Sequence, residues 1–74
     1  MTASDLCRCL YLPWPNLPWP YYQVANMTDF DLYRFLGAGG FGMVLLAQKL
    51  DTKRFYAIKA PTDTILECGH LHEH

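Results

Sequence analysis

Four glycines fall within six positions of Leu36-Gly-Ala-Gly-Gly-Phe-Gly-Met-Val44, and this run limits what the chain can fold into. Glycine reaches positive φ without strain and lets another group approach the backbone closely. Two uses fit such a run: a cradle for phosphates, or a loose turn joining two strands. Phe30-Asp-Leu-Tyr-Arg-Phe-Leu36 precedes it, rich in aromatics and imperfectly alternating. Met43-Val-Leu-Leu-Ala47 follows as a short apolar run. Both flanks carry strand signals.

The rest of the pattern divides the chain into zones. Asp51-Thr-Lys53 is a polar turn, and Phe55-Tyr-Ala-Ile58 is a further apolar run. Residues 29–60 are therefore predicted to form an antiparallel meander of three strands. Pro61 ends the last strand. Thr64-Ile-Leu-Glu67 has the form of a capping box, so a short helix is predicted to begin at Asp63 or Thr64 and to be weakened by Gly69. Upstream, Leu12-Pro-Trp-Pro15 recurs as Leu17-Pro-Trp-Pro20. Proline fixes φ and pushes its predecessor toward extended geometry, so residues 1–28 read as an extended, Pro/Trp-rich segment that does not fold independently. Residues 29–74 read as the folding unit.

Composition narrows the partners. With 74 residues the chain holds at most one small domain. Apolar residues make up 51% of it, which excludes compositional disorder. The formal net charge is −1 with no run of Lys or Arg, which argues against nucleic acid and anionic membranes. Asp5 and Arg8 interrupt the N-terminus and Pro13 and Pro15 break its apolar run, so it does not read as a secretory signal. No stretch reaches the roughly 18 apolar residues of a membrane span. Three cysteines, Cys7, Cys9 and Cys68, make an odd count, and the expected setting is reducing and cytoplasmic.

Three kinds of site use glycine-rich loops. A P-loop needs Gly-Lys-Ser/Thr at its end, but Gly42 is followed by Met43 and Val44. A dinucleotide-binding fold would make Met43 to Leu50 a helix and use an acid about 20 residues on, where Asp63 stands. Its first strand should be wholly apolar, whereas this one carries Asp31, Tyr33 and Arg34. The third kind joins two antiparallel strands through G-x-G-x-x-G-x-V and adds a lysine on the next strand. Val44 closes that longer motif, and Tyr56-Ala-Ile-Lys59 supplies the strand and lysine, 22 residues after Gly37.

On these residues the chain resembles the N-terminal lobe of eukaryotic protein kinases. Phe30, and more weakly Glu73-His74, resemble the AGC group of serine/threonine kinases, relatives of the cyclic-nucleotide-dependent enzymes. The likeness covers residues 30–60 well, 61–74 loosely and 1–28 hardly at all. It implies an α+β fold: part of a kinase N-lobe, three strands followed by a short helix. It also implies an ATP site. Backbone amides of Gly37, Ala38, Gly39, Gly40, Phe41 and Gly42, continuing to Met43, would cover the phosphates. Phe41 would shield the transferring phosphate at the tip. Leu36, Val44 and Ala57 would wall the adenine, and Lys59 would sit between the α- and β-phosphates.

The resemblance also implies what the chain does not hold. H-R-D and D-F-G are absent from the 74 residues, so no catalytic residue and no magnesium ligand is assigned. The expectation is a truncated kinase piece that takes Mg-ATP only in the full family and does not transfer phosphate alone. Protein substrates would require the missing regions. The sheet edge beside the lysine strand would then be unpaired and prone to associate. Alternative readings are a non-catalytic interaction segment acting through the Pro-Trp repeat, and a dinucleotide-binding fragment. Cys68, His70, His72 and His74 lack the paired spacing of a zinc site, and no metal is expected.

Overall fold

The computed structural model describes residues 7–14, 22–40 and 42–71. Five strands appear in chain order: β1 Arg8–Pro13, β2 Gln23–Asn26, β3 Phe30–Gly39, β4 Gly42–Lys49 and β5 Phe55–Ala60. A single turn of 3-10 helix, Met27–Asp29, links β2 to β3, and one α-helix, α1 Thr62–Cys68, follows β5. The strands form one sheet in the order β2-β1-β5-β4-β3, and every neighbouring pair is antiparallel. The architecture is an α+β unit with one sheet and one short helix.

The sheet corrects the three-strand expectation. Strands β3, β4 and β5 lie where the apolar runs place them, but two more strands extend the sheet beyond β5. Arg8–Pro13, read from its prolines as part of an extended segment, pairs with β5 from Leu10 opposite Lys59 to Pro13 opposite Tyr56. Its other side pairs with β2. The edge of β5 is thus covered by the chain itself. Pro13 closes β1 at its last position, and the Trp14 amide just beyond it still donates to the Phe55 carbonyl at 3.3 Å. The second half of the Pro-Trp repeat lies outside the described residues.

One face of the sheet carries the core. Met27, Phe30 and Ile58 are fully buried there, with Leu32, Leu45 and Ala47 beside them. Tyr11, Phe30 and Tyr56 form a ring cluster, with centroids 5.2–6.0 Å apart in tilted or edge-on contact. The Tyr11 hydroxyl donates to Gln23 Oε1 at 2.7 Å, tying β1 to β2. Asn26 starts the 3-10 turn by accepting from the Thr28 amide at 3.0 Å, which swings buried Met27 under the sheet.

Helix α1 closes the core from below through Ile65. It starts at Thr62 directly after Pro61, earlier than the capping box suggests, and no side chain caps it. Its first bond runs from the Ile65 amide to the Pro61 carbonyl at 3.1 Å, so the proline sets the start instead. Gly69 ends it; a Cβ there would stand 2.7 Å from Leu32 Cδ1, so helix and sheet meet closely at that point. Among the described residues no helix is long and apolar enough to cross a membrane.

A disulfide joins Cys7 to Cys68 across a sequence separation of 61, with Cα atoms 5.6 Å apart. It fastens the start of β1 to the end of α1. The odd cysteine count gave no sign of this pairing. Cys9 remains a free thiol, 3% exposed in the core. Burial, and secondarily the Asp29 carboxylate, push it from the ordinary 9.0 up to about 12.

Two outcomes follow for stability. Cys7→Ser, or reduction of the wild type, removes the cross-link and is expected to cost about 4 kcal/mol by loop entropy. Denaturant titrations with and without reductant measure it, and Cys7→Ser should lose its response to reductant. The second concerns pH. Above 9.0 the unfolded chain releases the Cys9 proton while the folded chain holds it to about 12. Stability gained from this thiol is therefore intact below pH 9 and falls as pH rises through that window. Cys9→Ala should show a shallower alkaline decline than the wild type in the same titrations.

Candidate functional site

The glycine run forms the hairpin between β3 and β4. Gly39 pairs with Gly42, Ala38 with Met43 and Gly37 with Val44. Phe41, expected at its tip, lies outside the described residues. Strand β3 shifts register twice, between Leu32 and Arg34 and between Phe35 and Gly37, and half-buried Leu36 falls in the second shift. Such irregularities bend and twist a strand, here just before the hairpin.

The glycines differ in what the fold asks of them. Gly42 adopts φ +122°, and a Cβ there would press on the Ala60 carbonyl and stand 2.8 Å from Pro61 Cα. It lets β4 start flush against the end of β5. Gly37 and Gly40 have open space where a side chain would begin, and neither has positive φ. The fold does not require them to be glycine. Room for a group outside the chain is what their small size leaves.

Residues opposite one another in adjacent strands share a face of the sheet. One such row runs Gly37, Val44, Lys59, Leu10, Val24 across all five strands. The next row runs Arg34, Leu46, Ala57, Leu12. Both lie on the face opposite the aromatic core. Gly37, Val44, Ala57 and Lys59, separated by up to 22 residues in sequence, are thereby brought onto one surface. Ala57 is 2% exposed and Lys59 half-buried. Met43 stands on the other face and packs against the core. Ala38 lies opposite it.

Two recesses flank the hairpin end of this surface. One, of about 330 Å³, is lined by Arg8, Leu10, Val24, Lys59 and Pro61 among others. Its lining is mainly apolar, with Arg8 and Lys59 as its charged side chains. The other, of about 200 Å³, is lined by Gly39, Gly40, Gly42, Pro61, Thr62 and Asp63. The Asp63 carboxylate is the one acid in either lining.

Sequence reasoning missed the contribution of β1. Arg8, Leu10 and Leu12 fall on the same face as Lys59. The available signal was the run Cys9-Leu-Tyr-Leu12, apolar on both alternating sets, as in a strand covered on both faces. In the histidine tail, the His70 carbonyl accepts from the Leu32 amide at 2.7 Å, which covers part of the outer edge of β3. His72, Glu73 and His74 lie outside the described residues. Among the described residues no three His, Cys, Asp or Glu side chains gather as a metal site.

The hairpin also separates the two nucleotide folds weighed above. Gly42–Lys49 is a strand pairing antiparallel with β3, whereas a dinucleotide fold requires a helix there.

Comparison with known proteins adds the family. The serine/threonine-protein kinase YPK2/YKR2 of Saccharomyces cerevisiae is 40% identical over 50 residues, 68% of this chain and 6% of the yeast protein. YPK1 of the same yeast is 46% identical over 50 residues, with the same two coverages. Mouse Sgk3 is 49% identical over 35 residues, 47% of this chain and 7% of that kinase. This chain thus spans about 6% of the length of the yeast relatives it matches. No family model matches it. No solved structure matches it either. Over about two thirds of its length, the chain is similar to AGC-like serine/threonine protein kinases and resembles part of their N-terminal lobe.

Proposed function

We propose that the open face of this sheet is an ATP-binding surface, and that the chain is the ATP-binding part of a serine/threonine protein kinase. The observation that carries the reading is the row that sets Gly37, Val44 and Lys59 side by side beneath the glycine hairpin. Val44, with Leu36 at the hairpin's base, supplies apolar contact for the adenine, and Ala57, 2% exposed, stands behind them in the next row. Backbone amides of Gly37, Ala38, Gly39, Gly40 and Gly42 line the path of the phosphates, and Met43, whose side chain packs on the core, adds its amide beyond them. The Lys59 ammonium neutralises phosphate charge, an interaction strengthened where the surface excludes water. Gly37 and Gly40 leave room for the phosphates to approach the backbone.

Phosphoryl transfer to protein hydroxyls needs an aspartate to orient the hydroxyl and carboxylates to hold magnesium. The 74 residues contain neither H-R-D nor D-F-G, so this chain binds ATP without transferring its phosphate. Protein substrates and Mg-ATP belong to a longer kinase chain in this reading. So does the cytoplasm, whose thiol reductants would hold Cys7 and Cys68 in the reduced form.

Titration with a fluorescent ATP analogue tests the reading. Lys59→Met is expected to weaken binding about tenfold, the loss of one charge-assisted contact. Gly37→Ala should weaken binding too, while leaving folding stability within about 0.5 kcal/mol. Gly42→Ala should instead destabilise the fold by about 2 kcal/mol or more, through its backbone geometry and its crowding by β5. No phosphate should reach a peptide from Mg-ATP. Equal analogue binding by the wild type, Lys59→Met and Gly37→Ala would overturn the assignment.

A further inference from the structure

We propose that Arg8, carried by β1, is a second phosphate-binding cation beside Lys59. The proposal rests on the reading of this face as an ATP site and adds a residue to it from a part of the chain that reading did not use.

Register places the side chain. Leu10 stands opposite Lys59 on one side and Val24 on the other. Cys9 and Tyr11 belong to the core face: Cys9 is buried in the core and Tyr11 stacks against Phe30. Alternation therefore puts Arg8 and Leu10 on the open face with Lys59.

Direction matters as much as face. Strands β1 and β5 are antiparallel, so stepping from Leu10 back to Arg8 moves along β5 from Lys59 toward Pro61. Pro61 is where Gly42 abuts β5. Arg8 consequently lies on the glycine-hairpin side of Lys59, the side on which the phosphates would lie. A diagonal pair of this kind across antiparallel strands has its Cα atoms about 7–8 Å apart. Long side chains at that separation can engage successive groups of one phosphate chain.

The recess between them agrees with this assignment. Arg8 and Lys59 both line the 330 Å³ space, over an apolar floor of Leu10, Val24 and Pro61. Two cations above an apolar floor suit a ligand with an anionic chain and an apolar body. An arginine is suited to the anionic part because its planar fork donates two parallel hydrogen bonds to one phosphate. The opposing charge is Asp63, which lines the neighbouring recess across Pro61. Its carboxylate disfavours an unneutralised phosphate on that side and leaves the Arg8 side as the favoured one.

The test uses the full chain at low ionic strength, with ATP, tripolyphosphate and adenosine as probes. Arg8→Ala is expected to weaken ATP and tripolyphosphate about tenfold and to leave adenosine unchanged. Arg8→Lys should recover part of the loss. Arg8 is exposed, so the fold should tolerate both changes, and circular dichroism with thermal melting checks that it does. Arg8→Gln serves as an independent neutral variant. Unchanged affinity of Arg8→Ala and Arg8→Gln for ATP and tripolyphosphate overturns the proposal. If ATP binding then still depends on Lys59, the ATP reading survives it. If tripolyphosphate binding depends on Arg8 while ATP binds no tighter than tripolyphosphate, the second cation stands and the adenine site does not. A wild-type chain that binds none of the probes removes both.

Discussion

The ladder between β1 and β5 organises this molecule. Four residues of each strand lie opposite one another, from Leu10 against Lys59 to Pro13 against Tyr56. Without β1, the lysine strand would present a row of open backbone groups and an apolar flank, and an edge of that kind recruits other chains. With it, β5 becomes an interior strand. Tyr11 then reaches the rings of Phe30 and Tyr56, and β2 gains a strand to pair with. The ladder settles the core face and the open face together, because alternation along β1 sends Tyr11 to one and Leu10 to the other.

The disulfide acts on the same element from its end. Cys7 immediately precedes β1, and its carbonyl accepts from the Met27 amide at 2.6 Å. Its sulfur is bound to Cys68 at the end of α1. A small chain buries a smaller fraction of its surface than a large one, so a cross-link that closes a long loop carries more of the stability. Here it also fixes where β1 begins. That matters for the open face, because a strand anchored at Cys7 cannot slip by one residue and turn Leu10 into the core.

How much of this was legible in the sequence depended on whether neighbours in the chain were neighbours in space. Strands β3, β4 and β5 follow one another through short turns, and their apolar runs marked them. The polar turn did too: the Asp51 side chain accepts from the Thr52 amide at 2.7 Å, and Lys53 takes φ 63° there. The glycine hairpin and the register of Lys59 were readable because the motif spans both. Strand β1 was not, since its partner β5 lies more than 40 residues away. The nearby prolines pointed to extended chain, which is correct for the backbone but silent about pairing. The helix start was misread for a related reason. Thr64 and Glu67 offer a local cap that places the start at Asp63 or Thr64, yet Pro61 and the need to bury Ile65 set it at Thr62, one or two residues earlier.

Fold and proposed site are therefore not separable into two halves of the chain. The glycine hairpin and Lys59 come from the segment that resembles a kinase. The surface continuing beyond Lys59 is built from Leu10, Leu12 and Val24, which come from the segment before it. Lys59 is held between two strands, β4 on one side and β1 on the other, so its position follows from both ladders. Arg8 sits at the end of β1 with only Asn26 of β2 registered opposite it, and depends on the anchor at Cys7. A change that loosens β1 should thus reach the recess through Arg8 before it reaches Lys59. The strand that completes the sheet also forms one wall of the surface on which the function is proposed.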